Sequence, residues 1–265
     1  MYIETEIAQM NNFTEKSEGR FTYYEAGEGE VLILLHGLFG ALSNFYDVID
    51  YFADKMTVSI PVLPLYDLPA EDTKLPGMVE YVAEFINYKG YKKVTILGNS
   101  LGGHIALLYA LQYPEKIKAL ILTGSSGLFE NSLGDTYPRK SDYEFVKNKT
   151  ESTFYNPLVA TKELVDNVYS IVNDREKAIR ILYLAKSALR HNLRDELSQL
   201  NIPSLLLWGK NDPITPAAVA EEFKRLLPKA RLEYIDKCGH APMMEHPETF
   251  NALLNTFLVE NEVII

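Results

Sequence analysis

Lys93-Val94-Thr95-Ile96-Leu97-Gly98-Asn99-Ser100-Leu101-Gly102-Gly103-His104 is the stretch on which the rest of the chain is read. The apolar, β-branched run Lys93–Leu97 (KVTIL) passes without a linker into Gly98-Asn99-Ser100-Leu101-Gly102, and a helical pattern, Gly102–Tyr113, starts at once. The spacing is G-x-S-x-G at a strand-to-helix turn. So sharp a turn strains the backbone of its apex residue and presses together the residues two before and two after it. No Cβ fits between them, and Gly98 and Gly102 meet that demand. Ser100 is then raised above the C-terminal edge of a parallel sheet, where open α/β folds bind ligands. The competing interpretation is a glycine-rich turn for close packing or phosphate binding. Phosphate loops usually place a lysine or a longer glycine array here.

Outward from this turn the same alternation recurs. Val31–Leu35 (VLILL), Ala119–Thr123 (ALILT) and Ser204–Trp208 (SLLLW) are continuous apolar runs, as a parallel sheet covered on both faces requires. Further strand-like runs lie at Met56–Val62 and Leu232–Ile235. Helical patterns occupy Gly77–Tyr88, Pro216–Leu227 and Pro247–Val259; the last carries Phe250, Leu253, Leu254 and Phe257 on one stripe. In Gly102–Tyr113, Ile105, Leu108, Tyr109 and Gln112 recur near helical spacing, which predicts an amphipathic helix. Strands alternating with helices imply an α/β fold with a mostly parallel, doubly wound sheet. From Ser126 to Asp195 the rhythm breaks: charges and helical periodicity replace apolar β runs, with aromatics including Phe129, Tyr137, Tyr143, Phe154, Tyr155, Tyr169 and Tyr183. Seventy residues far exceed an ordinary connection. The expected organisation is a core of residues 1–125 and 196–265 with residues 126–195 inserted as a helical cap.

A chain of 265 residues that is 47% hydrophobic supports one large domain with such an insertion. The formal net charge is −10, and no Lys/Arg run is long enough to track a phosphate backbone, which argues against nucleic acid and anionic membranes as partners. The single cysteine, Cys238, rules out an intrachain disulfide. The start Met1-Tyr2-Ile3-Glu4 lacks the basic residues and apolar run of a signal peptide, and no segment approaches the ~20 apolar residues that span a bilayer. The expectation is a cytoplasmic protein acting on a small-molecule substrate. Its oligomeric state is left open.

A serine hydroxyl needs a base, and the base an orienting carboxylate. Of five histidines, His240 in Cys238-Gly239-His240-Ala241-Pro242 follows the late run Leu232–Ile235 and is the base candidate. His246 precedes Pro247 as a helix-entry residue; His104 faces packing; His191 falls in the inserted segment; His36 ends an early strand. Asp212, in Trp208-Gly209-Lys210-Asn211-Asp212-Pro213, lies just past a buried strand. It is the acid candidate, with helix capping before Pro216 as its bland alternative. The chain order Ser100, Asp212, His240 is the one expected when these residues act together on such a sheet. Backbone N–H donors for an oxyanion are expected from Leu101 and from Leu38 in His36-Gly37-Leu38-Phe39-Gly40, with Phe39 as the alternative to Leu38.

The segments LLHGLFG, ILGNSLGGHIAL, LLLWGKNDPITP and CGHAPMMEHPETF resemble the α/β-hydrolase superfamily. The chain looks most similar to small carboxylesterases and to carbon–carbon bond hydrolases of meta-ring-fission products. The resemblance implies Ser100 as nucleophile, Asp212 as acid, His240 as base, and Leu38 and Leu101 as oxyanion donors. Two departures stand out. Pro64-Leu65-Tyr66-Asp67-Leu68-Pro69 replaces the relatives' Asp-x-x-Gly-x-Gly, and Ala241 stands where the carbon–carbon hydrolases usually carry tryptophan. Three functions follow as expectations: hydrolysis of a small apolar or aromatic ester; cleavage of a vinylogous diketone, with Arg139, Arg180, Arg190 or Arg194 holding a substrate carboxylate; or a receptor that binds without turnover. Phe39, Phe129 and Tyr155 are the expected substrate contacts. No cofactor or metal is called for, since no H-E-x-x-H or paired-cysteine spacing is present.

Overall fold

The structure, a computed structural model, describes residues 13–40, 42–69, 71–130 and 140–265. Tyr137 and Arg139 lie outside the described residues.

β3 (Val31–Leu35), β4 (Thr57–Pro61), β5 (Val94–Asn99), β6 (Ile117–Thr123), β7 (Ser204–Gly209) and β8 (Ala230–Ile235) pair in parallel. β1 (Thr14–Glu18) and β2 (Phe21–Ala26) add an antiparallel hairpin at one edge. Among the described residues the sheet order is β1-β2-β4-β3-β5-β6-β7-β8. Successive side chains of a strand point to opposite faces, and this period-two rule divides the core in two. Ile33, Leu35, Ile96, Leu120, Leu122, Leu206 and Trp208 feed one apolar cluster; Leu32, Leu34, Leu97, Ile121, Leu205 and Leu207 feed the other. Both faces are covered, so the central strands read as unbroken apolar runs.

The first cluster packs under α2 (Leu75–Tyr88), α3 (Leu101–Gln112) and α7 (Ala217–Leu226), and the second under α1 (Tyr46–Phe52) and α9 (Pro247–Glu260). Helix α3 departs from the amphipathic expectation. Nearly its whole surface is buried, because the sheet, α2 and the segment after β6 enclose it. Its single small-residue face, Gly102, Gly103 and Ala106, permits that close approach.

Between β6 and β7 the described residues include three α-helices, α4 (Tyr143–Glu151), α5 (Lys162–Asn173) and α6 (Arg175–Arg190). Each starts on a side-chain cap. Asp142 accepts from the Phe145 N–H, Thr161 from Leu164, and Asp174 from Glu176 and Lys177. Val146, Val168 and Val172 form a small apolar cluster of their own, with Phe39 packed against it. Polar ties bind this excursion to the sheet's helices: the Leu75 N–H donates to Ser187 Oγ at 3.1 Å, Arg180 Nε to the Leu68 carbonyl at 2.8 Å, and His104 Nε2 to the His191 carbonyl at 2.8 Å. Among the described residues no helix is long and apolar enough to cross a membrane.

Candidate active site

Ser100 is the first residue after β5 and the last before α3, with φ 54° and ψ −119°. For a non-glycine residue that is a strained conformation, and such strain persists only where neighbours over-determine it. They do so here by contact. A Cβ on Gly98 would lie 2.5 Å from the Gly102 carbonyl carbon, and one on Gly102 would lie 2.0 Å from the Leu35 carbonyl oxygen. The Ser100 carbonyl is held by the N–H groups of Gly103, His104 and Ser126 at 3.1 to 3.3 Å. On its other side, a Cβ on Gly37 would stand 3.1 Å from Ser100 Cβ and 3.5 Å from Oγ.

Asp212 sits in the loop after β7 and is buried. Its Oδ1 accepts from the N–H groups of Ile214 (2.8 Å) and Thr215 (3.0 Å), and its Oδ2 from Thr215 Oγ1 (2.8 Å) and His240 Nδ1 (2.9 Å). The loop is pinned at its far end by Trp208, whose indole N–H donates to the Thr215 carbonyl at 2.7 Å. Helix α7 takes Pro216 as its N-cap, so Asp212 orders the preceding turn and the imidazole rather than capping that helix. A carboxylate only accepts, so Nδ1 carries the proton toward Asp212 and Nε2 of the neutral ring keeps its lone pair.

The main chain of His240 is fixed as firmly as its ring. Its N–H donates to the Thr153 carbonyl at 2.9 Å, and its carbonyl accepts from Asn99 Nδ2 at 3.1 Å. Asn99 Nδ2 also donates to the Thr123 carbonyl at 3.0 Å. The residue before Ser100 therefore ties the elbow to the histidine loop, a role that sequence position alone did not suggest. Burial alone would lower the His240 pKa, but the charge of Asp212 and its hydrogen bond, with a smaller contribution from Glu130, raise it above the ordinary histidine value. Burial acts to raise the Asp212 pKa; His240 and the Thr215 bonds outweigh it and hold the carboxyl below its ordinary value.

Ser100, His240, Leu38, Phe39 and Leu101 line one cavity of about 130 Å³, with Phe154, Leu164, Val168, Ala188, Ile214 and Met244 among its apolar walls. Ser100 and His240 share the cavity, and among the described residues no hydrogen bond joins their side chains. Leu101 opens α3, where helix N–H groups lack intrahelical partners. Leu38 lies inside a turn closed by the Gly40 N–H on the Gly37 carbonyl at 3.1 Å, and its own carbonyl accepts from Tyr66 Oη at 2.9 Å. Tyr66 belongs to the Pro64–Pro69 stretch that departs from the relatives' pattern.

Two of the expected contacts lie away from this cavity. Phe129 is 59% exposed and Tyr155 49% exposed, and neither lines the cavity. The N–H of Tyr155 is bound by Glu245 at 2.8 Å, and the preceding Phe154 lines the cavity. Of the expected arginines, Arg180 is engaged with Leu68 and Glu176, Arg194 with Glu222, and Arg190 is exposed; none lines the cavity. Glu130, which the sequence reading passed over, does line it. Burial raises its pKa, partly countered by His240. The remaining histidines serve structure. His104 is fully buried beside Ser126, with burial pushing its pKa down to about 4, and His246 Nε2 contacts the Lys237 carbonyl at 3.0 Å. Burial pushes the Cys238 thiol up, which keeps it protonated and unreactive.

A family model described as the α/β hydrolase fold matches residues 30–247. A pimeloyl-[acyl-carrier protein] methyl ester esterase of Nitrosomonas europaea is 30% identical, over 84% of this chain and 94% of that protein. A 2-hydroxy-6-oxononadienedioate/2-hydroxy-6-oxononatrienedioate hydrolase of Comamonas testosteroni is 27% identical, over 96% and 97%. Among solved structures, MGS-MChE2, an α/β hydrolase enzyme from the sediment metagenome of the Mar Chica lagoon, Morocco, is 47% identical with a TM-score of 0.79, over 94% of this chain and 99% of that one. The chain belongs to the α/β-hydrolase fold family and is an enzyme of that fold.

Proposed function

We propose that this chain is a serine esterase that cleaves a small, uncharged carboxylic ester through an acyl-enzyme, with residues 126–195 acting as a cap over the core. Ser100 attacks the ester carbonyl while His240 Nε2 takes its proton. The N–H groups of Leu38 and Leu101 receive the oxyanion, each donor worth roughly 10²–10³ in rate. His240 then protonates the departing alkoxide, and a water deprotonated by the same nitrogen releases the acid. Asp212 holds the imidazole in the required tautomer throughout. The proton transfer needs Oγ and Nε2 within about 2.6–3.2 Å, a contact that unliganded enzymes often make only as substrate binds.

The carrying observation is the Asp212–His240 pair at 2.9 Å opening onto the same cavity as a serine held in a strained turn. The size of that cavity supports a small acyl group, since an engineered void of about 150 Å³ accommodates benzene. Incubation with p-nitrophenyl esters from acetyl to decanoyl tests the proposal. The short esters are expected to turn over fastest, and Ser100→Ala to abolish turnover. Equal rates for wild type and Ser100→Ala refute it.

Carbon–carbon cleavage is the second reading, favoured by the likeness to the Comamonas testosteroni hydrolase. The substrate in that protein's name is a dioate. Burying an unpaired carboxylate costs several kcal/mol, on the order of a thousandfold in binding. Among the described residues the cavity wall offers no lysine or arginine for it, and Glu130 carries the same sign. Ester hydrolysis asks for no such partner. Rapid bleaching of a coloured dienol dicarboxylate, with esters barely turned over, would reverse the order.

A further inference from the structure

Glu245 ends the single helical turn α8 (Pro242–Glu245), five residues beyond His240, and it takes no part in the chemistry described above. Its two oxygens nevertheless divide between two parts of the molecule. Oε1 accepts the Gly239 N–H at 2.6 Å and lies 3.9 Å from the Cys238 thiol, both in the loop that carries His240. Oε2 accepts the N–H groups of Tyr155 at 2.8 Å and Asn156 at 3.1 Å, in the turn that follows α4. A carboxylate serving three backbone donors makes charge-assisted bonds, about twice as strong as neutral ones. Two other contacts run between the same pieces of chain. His240 donates its N–H to Thr153, and a Cβ on Gly239 would meet the Thr153 carbonyl oxygen at 2.5 Å and Phe154 Cα at 2.9 Å. Phe154 in turn forms part of the cavity wall.

Taking His240 as the base, as proposed above, we infer that Glu245 is a positioning residue that joins the histidine loop to the 153–156 segment, so that the wall of the acyl cavity and the base move as one body. Substrate pressing on Phe154 is then transmitted to the peptide preceding His240. Sideways motion of the imidazole is resisted by bonds that reach outside its own loop. Glu245 contributes through placement, since it lines a separate hollow with Tyr155 and Asn156 and not the cavity that holds Ser100.

The experiment compares wild type, Glu245→Gln, Glu245→Asp, and the control Glu248→Gln, an exposed position one turn on. Active sites are counted by stoichiometric labelling of Ser100 with an organophosphonate. Gln turns an N–H₂ toward backbone N–H groups on one side, so it cannot serve both segments. Per labelled site, kcat for a short p-nitrophenyl ester should fall about tenfold in Glu245→Gln with KM within twofold, as expected for a base displaced by a fraction of an ångström. Glu245→Asp should recover part of that loss. Hydrogen exchange should quicken in segments 153–156 and 238–240 together in Glu245→Gln, and in neither in the control. The inference is overturned if kcat per labelled site stays within twofold of wild type, or if exchange quickens in only one segment. His240→Ala separates the two levels: if it remains active, the assignment of the base fails; if it is inactive while Glu245→Gln is unchanged, only the coupling fails.

Discussion

Gly124→Ala asks directly whether the rate depends on where the His240 ring sits. Gly124 follows β6 with φ +51°, and a Cβ there would stand 2.8 Å from His240 Nδ1, 2.8 Å from its carbonyl oxygen and 2.9 Å from Cε1. Two costs are superimposed. The first is backbone: an L residue in the left-handed region costs about 1–2 kcal/mol. Gly90 bears that cost alone, since its φ is +67° and a Cβ would meet nothing within 4 Å. Gly90→Ala should therefore lower Tm by roughly 2–8 °C, at about 2–4 °C per kcal/mol for a chain near this size, and leave kcat untouched. The second cost is steric. Non-bonded heavy atoms rest near 3.5 Å, so the imidazole has to retreat by roughly 0.5 Å or more. A misplacement of 1 Å costs on the order of a hundredfold, so Gly124→Ala should lose between about tenfold and a hundredfold in kcat. The stretched Nδ1–Asp212 bond adds up to about 1.5–3 kcal/mol of destabilisation. Ester hydrolysis per labelled serine, measured well below both melting temperatures, gives the answer. Unchanged kcat in a folded Gly124→Ala protein refutes the dependence on ring position, and an equal kcat loss in Gly90→Ala refutes the division of costs.

If His240 is the base, as proposed, it must be unprotonated to act, and kcat/KM should rise with pH on a limb whose midpoint lies above 6.5, the ordinary histidine value. In Asp212→Asn the burial effect is opposed only by the smaller contribution of Glu130, so that midpoint should fall while kcat drops by roughly 10³–10⁴-fold, readable in one pH–rate series. Stability follows the same pair with opposite signs. The lowered Asp212 pKa contributes stability above 3.8 that is lost as pH falls, and the raised His240 pKa contributes stability below 6.5 that is lost as pH rises. The Tm difference between wild type and Asp212→Asn should therefore be greatest between those two values, and a flat difference across pH 3–9 contradicts the linkage. Tyr66→Phe removes the hydrogen bond to the Leu38 carbonyl; a several-fold loss in kcat with KM little changed is expected, at about 1 kcal/mol for one neutral bond. Glu130→Gln should improve hydrolysis of a hemisuccinate ester relative to the matching butyrate; no change in that ratio removes Glu130 from the specificity of the cavity.

The sequence made the centre of the fold legible because sterics there leave few options. Gly98 and Gly102 flank Ser100 at contact distances that exclude any other residue, and the runs around Val31, Val94, Ile117 and Ser204 are predominantly apolar because both faces of those strands are covered. β1 escaped notice for the opposite reason. TEKSE is an exposed edge strand, and charged residues at an edge guard against pairing with other chains while erasing the apolar alternation. Asp142, Thr161 and Asp174 were available as start signals for α4, α5 and α6. The cavity contacts were less accessible. Phe154 lines the cavity and Tyr155 does not, and the Tyr155 N–H is held by Glu245, ninety residues away; no local pattern encodes a backbone N–H bound at that separation. Asn99 is similar: its bond to the His240 carbonyl spans 141 residues.

These long-range bonds also set where His240 sits. The imidazole is fixed at three points: its ring by Asp212, its N–H by Thr153 and its carbonyl by Asn99. The serine backbone is locked by the approach of Gly98, Gly102 and Gly37. The backbone of both residues and the ring of His240 are thus held in the folded chain. Rotation about the Ser100 Cα–Cβ bond, by contrast, exchanges staggered positions at little cost. Pre-organisation therefore does not require the two side chains to touch before substrate arrives. Under the proposed mechanism an ester carbonyl seated against the Leu38 and Leu101 N–H groups would select the Ser100 rotamer that brings Oγ to its electrophile, so the catalytic contact can form as substrate binds.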